Sequence, residues 1–150
     1  MRILTACPHR GHHTSTTGAR ELWCAAVYQK ILVGTDGSKT AAKAVDRAVE
    51  VASSVGATLT IFSAGRAASA TKVVDAERSR HAQSGVSIDT LVRDDEPVEA
   101  LLEVAKEGSY DLLVMGNRGM TGVTRFLRLG SVPNKVSHHI PCSLLIVKTT

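Results

Sequence analysis

Aromatic residues are almost missing from this sequence: one Trp, two Tyr and two Phe make up 3% of the chain. Proteins that grip nucleic acid combine stacking aromatics with a strong basic excess. The net charge here is only +4, and about half of it comes from Arg2, Arg10 and Arg20 set against Glu21. Nucleic acid is therefore not an expected partner. Cysteine is scarce and odd in number; Cys7, Cys24 and Cys142 form no CxxC pair. That excludes a disulfide framework and fits a reducing cytoplasm. No apolar run approaches the roughly 18 residues that a membrane span requires, so no membrane partner is expected. Met1 to Tyr28 has no continuous apolar core and does not read as a signal peptide.

What remains is ordinary for one globular domain: 150 residues, 43% apolar and 21% charged. Residues 1–28 stand apart. They hold Pro8, Gly11, Gly18 and a Thr14–Thr17 polar run with little periodicity, and they read as a disordered or atypical N-terminal extension. Cys7, His9, His12 and His13 have the composition of a metal cluster, but no partner pair follows at a standard spacing. The folded domain is expected over 29–150.

Within it, apolar runs alternate with helical patterns. Lys30–Gly34 reads as a buried parallel strand. Ala41, Ala44, Val45, Ala48, Val51, Ala52 and Val55 recur at helical spacing, and Gly56 stands where a helix-ending glycine belongs. Residues 57–63 form a second strand. Residues 67–83 form a polar helix with Val73, Val74 and Ala76 inside. Residues 86–92 form a third strand, at an edge. Asp94-Asp-Glu-Pro97 opens a helix, with proline in the first turn and acids at the positive end of the dipole. Residues 111–115 are the fourth strand. A helix follows from about Ser131 to His139, and Ser143–Val147 is the fifth strand. Strand and helix in strict alternation predict parallel pairing through right-handed crossovers. The fold class is a doubly wound five-stranded parallel sheet, a Rossmann-like α/β fold. Its ligand belongs outside the carboxyl ends of the strands, where the winding direction switches.

Two loops fall at such ends. One runs from Gly116-Asn-Arg-Gly119 to Gly130-Ser-Val-Pro133. It follows an apolar strand and leads into a helix, so its glycines and the free N–H groups at that helix start suit an anion. It is neither a Walker A loop nor GxGxxG. On chemistry alone it is equally an ordinary connection with Ser131 as a helix cap. The other loop is Thr35-Asp36-Gly37-Ser38. Its Asp36 carboxylate suits a ribose hydroxyl or hydrated Mg²⁺, and it equally suits a local Asx turn. His138 and His139 are adjacent, point to different helix faces, and belong to the negative end of the last helix. Cys142 reads as a buried small hydrophobe, and His81 as solvated.

Taken together, Ile31-Leu-Val-Gly-Thr-Asp-Gly-Ser38, Asp111-Leu-Leu-Val-Met-Gly-Asn-Arg-Gly-Met-Thr-Gly122, Leu129 to His139 and Pro141 to Val147 closely resemble the universal stress protein family. The resemblance is to its ATP-binding, actinobacterial-type branch, covers roughly residues 29–150 and implies the strand order 3-2-1-4-5. The branch's loop pattern is G-x2-G-x9-G-[ST]; here ten residues separate Gly119 from Gly130, the extra one falling within Thr124–Leu129. The resemblance implies that Asp36 meets the ribose and that Ala64 contacts adenine through its backbone. It implies that Gly116, Gly119, Gly130, Ser131 and Val132 cradle ribose and phosphates, that Met115 lines the pocket, and that Gly34, Thr35 and Arg118 complete it. It also implies a homodimer through the last strand, Leu144–Val147. The connection after Ser63 is shorter than the family's usual loop, and the N-terminal extension has no family counterpart.

The function expected is that of a cytoplasmic universal stress protein binding ATP, with or without Mg, as a nucleotide-dependent regulator of the stress response. The alternative is a cAMP-binding or cAMP-sequestering protein that uses the same pocket. No general base is paired with a nucleophile, so hydrolysis of ATP is expected to be slow at most. The related ATP-pyrophosphatases carry Ser-Gly-Gly-x-Asp-Ser after the first strand, which Gly34-Thr-Asp-Gly-Ser38 does not match.

Overall fold

Short apolar runs become strands, and each strand sends alternate side chains to opposite faces of one sheet. The computed structural model describes residues 27–117 and 132–149, and only the backbone of 132–134. The strands are β1 (Lys30–Gly34), β2 (Thr58–Ala64), β3 (Ile88–Arg93), β4 (Leu112–Gly116) and β5 (Ser143–Val147). The helices are α1 (Lys39–Val55), α2 (Ala67–Arg80), α3 (Pro97–Glu107) and α4 (Val132–His139). All four strand pairings are parallel and the order is β3-β2-β1-β4-β5. This is the doubly wound sheet that the sequence predicts.

The alternation along each strand fills two layers. Ile31, Val33, Leu59, Ile61, Leu112 and Val114 pack on one face with Ala44, Val45, Ala48 and Ala52 of α1 and Val74 of α2. Leu32, Phe62, Leu113 and Met115 pack on the other with Val98, Leu101, Val104 and Ala105 of α3 and Val136 of α4. Alanine dominates α1, which lets that helix lie close to the sheet. The winding changes direction between β1 and β4, which are neighbours with Val33 opposite Val114.

The helix ends follow local chemistry. Ser38 caps α1, its Oγ accepting the N–H of Ala41 at 3.1 Å. Gly56 ends the same helix in the left-handed region, φ 71°, where a side chain would be strained. Glu96 caps α3 by accepting from Val98 and Glu99, with Pro97 in the first turn. The strand bounds lie within two residues of those expected.

Helix α2 differs inside from the expected pattern. Ala76 faces solvent, and Glu77 takes the interior position at 7% exposure. A carboxylate can be buried there because Arg80, one turn on, donates to it from Nε and Nη2. Arg80 also reaches Asp46 of α1. His81 is not solvated: it is half-buried at the end of α2, its Nε2 3.1 Å from an oxygen of Asp46. Among the described residues no helix is long and apolar enough to cross a membrane.

Candidate functional site

The β1–α1 loop is built by its own side chains. Thr35 is fully buried and extends the sheet by donating its N–H to the Phe62 carbonyl at 2.9 Å. Its Oγ1 accepts the N–H of Gly37 at 3.2 Å. Asp36 is half-buried, and its Oδ1 accepts the N–H of Ser38 at 3.0 Å. The Asx turn is therefore formed, and it fixes the carboxylate at the carboxyl edge of the sheet. Gly37 has φ 77°, and a Cβ there would stand 2.9 Å from Cγ2 of Val73 on α2. Both the backbone conformation and the close approach require glycine at this position.

Gly34, Thr35 and Asp36 leave β1 alongside the end of β4, where Met115 and Gly116 lie. Gly34 is paired with Phe62 of β2, and Ala64 ends β2 two residues further on. Gly116 is buried and paired with Val147 of β5. Met115 is buried in the layer shared with α3 and α4. Gly34, Thr35, Asp36, Ala64, Met115 and Gly116 thus share one edge, at the switch in winding direction. Val132 begins α4. Arg118, Gly119, Gly130 and Ser131 lie outside the described residues, as does the longer stretch between Gly119 and Gly130.

One feature of this edge was not expected from the sequence. Asn117, directly after Gly116, donates its N–H to the Val147 carbonyl at 2.8 Å. Its Oδ1 accepts two bonds from Thr149, from the backbone N–H at 2.9 Å and from Oγ1 at 2.8 Å. The Thr149 carbonyl accepts from Nζ of Lys43, on α1, at 3.0 Å. An asparagine beside loop glycines was a visible signal of local bonding. Nothing local marks the penultimate residue of the chain as its partner.

Other chemistry-bearing residues lie away from this edge. A hollow of about 500 Å³ is lined by Asp75, Arg78, Ser79 and His81 with Val86 and Ile88. It sits toward the end of α2 and the start of β3, at the amino edge of the sheet and away from the carboxyl edge that carries the candidate site. His139 Nδ1 lies 3.1 Å from the Lys135 carbonyl, in the last turn of α4. Burial pushes the Cys142 thiol above its ordinary range; a hydrogen bond with the Leu113 backbone opposes this and the charge of Asp111 adds to it. No group of three or more His, Cys, Asp or Glu among the described residues can hold a metal ion.

Comparison with known proteins bears on the same stretch of chain. The family model described as "Universal stress protein family" matches residues 27–81 and 63–148. The universal stress protein YxiE of Bacillus subtilis is 32% identical over 149 residues, covering 81% of this chain and all of its own. The universal stress protein Rv1636 of Mycobacterium tuberculosis is 35% identical over 145 residues, covering 82% of this chain and 98% of its own. A universal stress protein crystallised in complex with cAMP superposes with a TM-score of 0.70 at 34% identity, covering 83% of this chain and 99% of its own.

Proposed function

We propose a function from one premise: this chain belongs to the universal stress protein family. It binds an adenine nucleotide across the carboxyl edge of β1 and β4, and ATP is the ligand. One observation carries this reading. The β1–α1 loop with Asp36 and the β4 exit with Gly116 are neighbours at the point where the winding switches, which is where such sheets take their ligands.

In this reading Asp36 accepts from the ribose hydroxyls, its orientation fixed by the Asx turn. Ala64 offers backbone groups to the adenine. Gly116, Gly119 and Gly130 allow the main chain to approach the phosphates. Ser131 and Val132, at the positive end of α4, face their charge together with Arg118. Gly34, Thr35 and Met115 form the floor. Mg²⁺, where present, enters on the triphosphate. Among the described residues no base is paired with a nucleophile at this edge; binding and release of nucleotide are the output, and any hydrolysis is slow. The protein acts as a nucleotide-dependent regulator of the stress response in the cytoplasm. It works as a dimer joined through β5, with residues 1–28 as an appended extension.

A second reading, cAMP as the ligand, is favoured by the relative crystallised with cAMP. Competition separates the two. With a fluorescent ATP analogue bound, unlabelled ATP is expected to displace it at lower concentration than cAMP. Displacement by cAMP at tenfold lower concentration, about 1.4 kcal/mol, would replace ATP with cAMP in this account.

A further inference from the structure

We infer that the last residues of the chain form a latch that positions the exit of β4, with Asn117 and Thr149 as its two positioning residues. The inference rests on the nucleotide-binding reading above. Thr149 lies beyond the end of β5, yet it is only 2% exposed. Here three polar groups of Thr149 are engaged: N–H and Oγ1 with Asn117 Oδ1, and the carbonyl with Lys43 Nζ.

The two partners come from the two sides of the proposed site. Asn117 is the residue at which β4 gives way to the glycine-rich stretch. Lys43 is on α1, one turn beyond the capped start that follows Asp36. Thr149 therefore bridges the exit of β4 to the helix that carries the Asp36 loop. The bond from the Asn117 N–H to the Val147 carbonyl occupies that donor, so Asn117 offers its backbone N–H to the sheet rather than to a ligand. Its side chain accepts from Thr149. The residue thus fixes where Gly116 sits through its backbone N–H and its side-chain oxygen. Order imposed in the free protein need not be imposed on binding, and this preorganisation appears as affinity.

The test uses the full chain with Thr149→Val, which loses the hydroxyl bond and keeps the shape, with Thr149→Ser, which keeps the hydroxyl, and with a chain ending at Lys148. Two quantities are read on each at 25 °C: affinity for ATP and for cAMP by calorimetry, and amide hydrogen exchange at residues 115–117 without nucleotide. Exchange at 115–117 is expected to rise in Thr149→Val and rise further in the truncated chain, with Thr149→Ser like wild type. Affinity for whichever nucleotide wild type binds is expected to fall about threefold in Thr149→Val and about tenfold in the truncated chain. Unchanged exchange at 115–117 in the truncated chain overturns the latch. So does unchanged affinity beside a lowered melting temperature, because that is a packing role alone. Wild type that binds neither nucleotide sinks the binding reading instead, and the exchange data then still decide whether the latch exists.

Discussion

At the scale of single residues, the buried carboxylate of α2 is answered by its neighbours. Glu77 takes an interior position on α2 because Arg80 donates two N–H groups to it and reaches on to Asp46. Burial lowers the tendency of Arg80 to hold its proton, but the bonds to Glu77 and Asp46 outweigh it and the guanidinium pKa is raised. Replacing Arg80 by Met leaves a buried carboxylate without its partner. Arg80 is itself 42% exposed along its side chain, so water reaches part of the gap and the cost stays below that of a fully buried pair. Arg80→Met is expected to lower stability by about 2 kcal/mol, measured by urea unfolding. Adding Glu77→Leu should recover most of that loss; a double variant no better than the single one would show that Glu77 is not the source.

At the scale of elements, the two edge strands are unlike. β3 carries Asp89 and Arg93 at exposed positions, charges that discourage pairing with another sheet. β5 is Ser-Leu-Leu-Ile-Val with no charge, and Ile146 is 45% exposed. An apolar edge strand of this kind asks for a partner, and the proposed homodimer supplies one. Ile146→Asp is expected to convert the dimer to a monomer by light scattering after gel filtration, with the far-ultraviolet spectrum unchanged. A variant that stays dimeric would move the interface away from β5. The elements themselves were largely legible beforehand. Strands β1 and β5 have the expected bounds, because β-branched runs between glycine, proline and polar punctuation leave little choice. α1 was legible from its alanine and valine spacing. The interior of α2 was not, since a mostly polar helix has a weak apolar stripe and Glu77 looks like surface until Arg80 and Asp46 are placed beside it.

At the scale of the whole molecule, the place of the candidate site follows from topology. Five parallel strands in the order β3-β2-β1-β4-β5 make β1 and β4 neighbours, so Asp36 and Gly116, 80 residues apart along the chain, lie at one edge. Alternation of strand and helix indicated parallel pairing, and the motif resemblance supplied the order. The tie between Asn117 and Thr149 was illegible for a physical reason: it is a contact across 32 residues that exists only once β5 lies beside β4. Arg118, Gly119, Gly130 and Ser131, proposed for the phosphate end of the site, were legible through the motif and lie outside the described residues. The central claim is that nucleotide is held from both loops at once. Calorimetric titration of ATP into wild type, Asp36→Ala and Gly119→Val tests it most directly. The expected result is binding by wild type, at least about tenfold weaker binding by Asp36→Ala, and none by Gly119→Val, with all three proteins folded. Wild-type affinity retained in both variants would contradict it.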